Sequence, residues 1–262
     1  ILDKFYEGIP YQVNLLAVNA GIIYPKCMKP PVTTTTAELV ALLRERILPG
    51  EFAPGPRMHQ VQLSESFGIS RTPLREALAQ LANLGLLVYE PNRGYAVRGF
   101  SVGEIDAAFA VRARLEGQAC GLCARHGLGR DVIARLEDCV RRGDRVLGKG
   151  LLDPDDLAPY RQMNVEFHET ILQESRNPFL LDFVRQCHNV PLASDRVFDW
   201  RDHRVILRSH DDHHRILRAI AERDAERADA LMREHVQFAG QVLIRMLRET
   251  SVVLTAEPAP AA

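Results

Sequence analysis

Residues 70–78 read Ser70-Arg71-Thr72-Pro73-Leu74-Arg75-Glu76-Ala77-Leu78, and the pattern runs on to Leu84-Gly85. The punctuation of this stretch is that of a helix. Ser70 is a good N-cap, because a serine hydroxyl can accept an orphan N–H of the first turn. Pro73 falls in that turn, where its missing donor costs little. Gly85 follows the last apolar residue and is a natural stop. At about 100° per residue, Arg71, Thr72 and Arg75 fall within one arc of roughly 100°. Leu74, Ala77, Leu78, Leu81 and Leu84 occupy another arc, centred about 130° away. One side is therefore suited to burial, and the N-terminal end of the other offers two guanidinium forks and a hydroxyl. Such forks match the guanine edge and the phosphate bidentately. A helix-turn-helix places a helix of this kind in the major groove. On an isolated helix the same arginines would simply be solvated, so the flanking sequence decides.

Upstream, Thr35-Thr36-Ala37-Glu38 is a capping box. It opens a helix with Leu39, Leu42, Leu43, Ile47 and Leu48 on its apolar side, ended by Pro49-Gly50. Residues 50–56 are a loop, dense in Pro and Gly. Val61–Phe67 is a short helix with Gly68-Ile69 as its turn, which gives the order of a helix-turn-helix. Downstream, Leu86–Tyr89 and Tyr95–Arg98 are strand-like around a turn at 91–94. Two strands behind a recognition helix make a wing. Arg93 suits a narrow minor groove, and Gly94 lets backbone approach a phosphate. The same residues also fit an ordinary hairpin turn.

The run RERILPGEFAPGPRMHQVQLSESFGISRTPLREALAQLANLGLLVYEPNRGYAV (44–97) resembles the winged-helix DNA-binding domain of the GntR superfamily of bacterial repressors. The resemblance spans about residues 37–98 and centres on SRTPLREAL. It implies that Ser70, Arg71, Thr72 and Arg75 meet operator bases and phosphates, with Arg93 and Gly94 at the wing. Residues 58–62 (Met-His-Gln-Val-Gln) lack the charged residue that relatives often carry there.

Net charge is −1, so no global basic field exists, and charge for nucleic acid must be local. Between Glu38 and Arg98, seven Arg face six Glu, an excess of one. Five cysteines scattered over 262 residues argue against a disulfide scaffold and for a reducing cytoplasm. No run of 18 apolar residues occurs, so no transmembrane helix is expected. Residues 1–34 show no clean period and read as a flexible arm, with Met28 a plausible start. Domain boundaries fall at 35–99 for the winged helix and 100–249 for a helical second domain. The Pro/Ala-rich tail 250–262 reads as disordered.

From Ser101-Val102-Gly103-Glu104, another capping box, the pattern becomes long amphipathic segments: about 102–126, 130–148, 157–175, 177–198, 203–222 and 225–249. Breaks fall at Gly127-Leu128-Gly129, Gly148–Pro159 and Asn177-Pro178. The fold class is mainly α: an N-terminal winged helix-turn-helix followed by an all-α antiparallel bundle. Eight of the nine histidines lie in this half. Asn164 and His168 share one helix face, and His213 and His235 lie on two further helices. Facing helices of a bundle can converge such side chains on one ion, although single histidines on helices are usually ordinary core or surface residues. Cys120-Gly121-Leu122-Cys123 has no second pair and reads as small buried thiols. The single Trp200 has no assignment.

Residues 101–250 resemble the helical effector domain of the FadR subfamily, the FCD domain. Its metal-binding members carry Asp-x-x-x-His on one helix, then His, then His. NVEFHETILQESRNPFL (164–180) resembles the first element, and DHHRILRAIAERDAERADALMREH (212–235) the rest. This implies a divalent ion (Zn, Ni, Mn or Fe) held by Asn164, His168, His213 and His235, with His214 and His210 as alternatives. Asn164 stands where many relatives have Asp, and an amide oxygen is the weaker ligand. Arg112 matches a family arginine and is either a clamp for an effector carboxylate or the partner of Glu116 at i+4. The implied protein is a cytoplasmic, nucleoid-associated homodimeric repressor. It reads an inverted-repeat operator in double-stranded DNA, answers to a small organic acid, and is neither membrane-bound nor an enzyme. The rival is a helical-bundle metallohydrolase with an accessory DNA-binding domain. It needs a general base beside the ion, and Glu166 and Glu169 point away from the face of His168. No G-x-S-x-G, H-E-x-x-H or P-loop pattern occurs. A metal-free fatty acyl-CoA sensor would leave the histidines unexplained.

Overall fold

The computed structural model describes residues 35–48, 52–150, 153–190, 192–194 and 202–249. The 1–34 arm, Met28, the Pro49-Gly50 stop, Trp200 and the 250–262 tail lie outside the described residues. The chain divides into two compact units, with the main division between residues 101 and 102.

The first unit is a three-helix core with a hairpin. Helix α1 (Thr36–Ile47) opens on Thr35, whose hydroxyl accepts from the Glu38 N–H while the Glu38 carboxylate accepts from the Thr35 N–H. That reciprocal pair satisfies two donors that a helix start leaves open. Helices α2 (Gln60–Phe67) and α3 (Arg71–Asn83) follow, joined through Gly68 in the left-handed region. Leu39, Leu43, Leu63, Leu74, Leu78 and Leu81 are essentially fully buried, each contributing about 1.5–3 kcal/mol. Leu84, expected on the buried side of α3, is instead exposed. It is the C-cap residue, past the last full turn. The helix then closes by two hydrogen bonds: Gly85 N–H to Ala82 O at 2.9 Å and Leu86 N–H to Leu81 O at 3.0 Å. This needs a left-handed residue at 85, and Gly85 has φ +76°.

Strands β1 (Leu87–Glu90) and β2 (Gly94–Val97) pair antiparallel, Leu87 opposite Val97 and Glu90 opposite Gly94. Each lies one residue from the expected span, because pairing runs up to the turn at Glu90 and Gly94. The loop before α2 lines up along β2, with Met58 N–H donating to Tyr95 O at 2.7 Å.

The second unit is a bundle of α4 (Val102–His126), α5 (Arg130–Leu147), α6 (Leu157–Glu174), α7 (Pro178–Cys187), α8 (His203–Ala221) and α9 (Ala225–Glu249). Two expected boundaries need correction. The span 177–198 is not one helix, since α7 ends at Cys187. The break 148–159 is shorter than expected, since Pro159 sits in the first turn of α6, where proline is tolerated. Helix α7 does start as its sequence demands: Asn177 accepts from the Phe179 N–H, and Pro178 takes the first position.

Helix α4 packs against α6, α7, α8 and most extensively α9. Glycines set that last approach. A Cβ on Gly117 would lie 2.6 Å from Arg233 Cγ and 2.9 Å from Asp229 O. One on Gly240 would lie 2.7 Å from the Phe109 ring. The two backbones therefore run closer than any larger residue allows.

Candidate functional site

In the first unit, the outer face of α3 carries Arg71, Thr72 and Arg75, all exposed. Among the described residues neither arginine has an ion-pair partner. Glu76 alongside accepts from the Thr36 hydroxyl at 3.0 Å and forms no ion pair with Arg75. Ser70 has the extended backbone of an N-cap, but its hydroxyl makes no capping bond. The expected cap is thus absent, which leaves an exposed hydroxyl and open first-turn amides at the same end as the arginines. At the hairpin tip, Arg93 is 81% exposed and pairs with Glu90 at 3.3 Å, a surface contact worth little. Gly94 has φ +87°, a conformation that favours glycine.

In the second unit, three helices converge. Helix α6 supplies Asn164 and His168, α8 His213, and α9 His235. All four side chains are buried, His213 completely. Each histidine offers a nitrogen, and these nitrogens lie within 4.8 Å of one another. His168 Nδ1 meets Glu116 Oε2 of α4 at 2.7 Å, which leaves Nε2 pointing inward, 3.2 Å from His235 Nε2. A carboxylate behind an imidazole fixes its tautomer and its aim. Burial alone raises the Glu116 carboxyl, but Arg112 and His168 outweigh it and hold the group well below the usual range.

Both nitrogens of His213 and Nδ1 of His235 are buried without a hydrogen-bond partner. Burial, then the neighbouring His235 and His168, pushes His213 well below its ordinary value. Burial and then His168 push His235 down to about 3. Asp212 Oδ2 lies 3.9 Å from His235 Nδ1, too far for a bond.

Arg112 makes the Glu116 pair, with Nε and Nη2 at 2.9 and 2.8 Å from Oε1, and Nη1 donates to Ala193 O at 3.0 Å. It also lines an open cleft beside the histidines, together with Tyr160, Asn164, His168, Ser209 and His235. The i+4 partner and the cleft position are therefore both realised. Glu166 is taken by Arg142 at 2.6 Å and Glu169 by Arg185 at 2.5 Å.

The expected alternatives His210 and His214 both lie against Asp144, and the His210 ring also stands edge-on to His213, 5.5 Å between centroids. Cys120 and Cys123 are free, buried thiols, Cys123 pushed up to about 12 by burial. Sequence reasoning missed Glu116 as the residue that aims His168. Its signal was present, four residues after Arg112 on one face. Asp144 had none, since its partners lie 66 and 70 residues away.

Two domain families match this chain in order. Residues 35–97 match the bacterial regulatory proteins of the gntR family, and residues 107–238 match the FCD domain. The chain is 27% identical over 210 residues to the uncharacterized HTH-type transcriptional regulator YdhC of Bacillus subtilis, covering 79% of this chain and 90% of that one. It is 28% identical over 197 residues to the Nta operon transcriptional regulator of Aminobacter aminovorans, covering 75% and 89%. To the HTH-type transcriptional repressor GlaR of Escherichia coli it is 27% identical over 213 residues, covering 78% and 94%. Among solved structures, E. coli McbR/YncC superimposes with a TM-score of 0.65 at 21% identity over 84% of this chain and 99% of that one, a likeness of fold. No helix among the described residues is long and apolar enough to cross a membrane. Since the FCD match alone covers half of the chain and follows the gntR match, it belongs to the GntR family, in the FadR branch with an FCD domain, and is a DNA-binding transcriptional regulator, not an enzyme.

Proposed function

We propose that the protein is a repressor whose winged helix reads an inverted-repeat operator as a homodimer, and whose helical unit senses a small carboxylate with the help of a divalent metal ion. The winged-helix domain spans 35–99 and the sensing domain 100–249 in this reading. Arg71, Thr72 and Arg75 read base edges, the Ser70 hydroxyl and the open amides beside it take a phosphate, and Arg93 and Gly94 follow the minor groove.

The observation that carries the sensing half is His213, fully buried with both ring nitrogens unpaired. Orphaned buried polar atoms each cost about 1–3 kcal/mol. Three imidazoles and the Asn164 amide oxygen fit a Zn, Ni, Mn or Fe ion. When bound, that ion supplies positive charge for a carboxylate in the cleft. Glu116 holds His168 in the ligating orientation. Burial keeps His213 and His235 neutral, which is the form that can ligate. Arg112 spends three of its five N–H donors on Glu116 and Ala193 and has two left for an acid in the cleft.

The test is a thermal-shift screen of the chelator-stripped chain with Zn2+ or Ni2+ and a panel of organic acids. Metal should raise the melting temperature, and an acid should raise it further only when metal is present. His213→Ala should weaken the metal response and abolish the acid's further rise. Equal responses from parent and variant would remove the ion from this site. Release of a labelled operator duplex by the same acid would connect sensing to DNA.

A further inference from the structure

We propose a second divalent-cation site in this unit, formed by Asp144 of α5 with His210 and His214 of α8. It shares no ligand with the buried trio.

His210 and His214 are one turn apart on α8, and both aim Nε2 at a single oxygen, Asp144 Oδ1, at 3.1 and 2.8 Å. One donor atom from each of the three residues lies within 4.8 Å of the others. The pocket for His210 is built into the backbone, since a Cβ at Gly143 would occupy the His210 ring. His210 is 1% exposed, whereas the side chains of Asp144 and His214 are 46% and 44% exposed. The cluster therefore has one fixed wall and one side open to solvent, where an ion can enter and retain water ligands.

The bland account is a carboxylate that accepts an N–H from each ring and ties α5 to α8. It leaves His210 Nδ1 buried without a hydrogen-bond partner. Moving the ring proton to Nδ1 frees the Nε2 lone pair towards Asp144. Two acceptors then face each other, an arrangement that a cation or an added proton stabilises. A cation satisfies all three groups. Each ring stays neutral, since the proton lost at Nε2 is regained at Nδ1. Two imidazoles and one carboxylate suit Zn2+, Co2+, Ni2+ or Mn2+.

Equilibrium dialysis of the full chain against Co2+, with metal counted per chain, tests this. The parent should bind two ions and His214→Ala one. Half-exposed His214 can be shortened without opening the core. His214→Cys should restore the second ion and add a thiolate-to-cobalt charge-transfer band, which reports the ligand directly. If the buried trio binds nothing, the parent takes one ion and His214→Ala none, and the present site stands alone. Unchanged stoichiometry and affinity in His214→Ala, or a Cys variant without the band, overturns the proposal.

Discussion

Arg75 stands on the exposed side of α3 with no acidic partner among the described residues, while its neighbour Glu76 is held by Thr36. A bidentate contact from such a residue is worth about 1–3 kcal/mol. Arg75→Ala should therefore weaken binding to a duplex selected from a random pool by about 5- to 150-fold, read by fluorescence anisotropy, with the thermal midpoint unchanged. Glu116 sits at the opposite extreme of burial. It balances Arg112 and aims His168 at once. Glu116→Gln leaves a buried guanidinium without its counter-charge, which costs about 3–5 kcal/mol. Chemical denaturation should show that loss. Metal affinity should also fall, by about 10- to 100-fold, because the histidine loses its orienting carboxylate.

At the scale of elements, the seam between α4 and α9 depends on the absence of side chains. Gly117→Ala meets backbone and the Arg233 stem at under 3 Å. It should destabilise the bundle by about 1–3 kcal/mol in urea titrations. Gly121→Ala, whose nearest neighbour is Ala225 O at 3.2 Å, should cost less. Where local chemistry sets an end, the sequence told it: the Thr35–Glu38 box and the Asn177-Pro178 start are both visible residue by residue. The end of α7 was harder, because apolar spacing continues on both sides of Pro191 and masked the stop that proline signals. The face of α3, Leu84 apart, and the shared face of Asn164 and His168 on α6 followed from spacing, since periodicity of 3.6 places side chains. The Asp144 partnership was out of reach, because it depends on α5 meeting α8, a contact no local pattern encodes.

For the whole molecule, a net charge of −1 leaves no long-range pull towards DNA, so recognition depends on the local arginines. Acid should also unfold this protein early. His213 and His235 are held neutral in the fold, His235 at about 3, against about 6.5 in an unfolded chain. The unfolded state therefore binds more protons below that value. This stabilisation is complete above pH 6.5 and is lost progressively as pH falls towards 3. In chelator, the melting temperature should drop between pH 7 and pH 5, and His213→Phe should flatten that slope. The glycine seam also limits how such a chain can diverge. With α4 and α9 locked at one separation, the cleft floor cannot widen by drawing those two rods apart. A descendant that acquires a bulkier or slimmer acid must do so by trading side chains at Tyr160, Ser209 or Val205, which also lines the cleft, so chemical taste changes while the scaffold stands still.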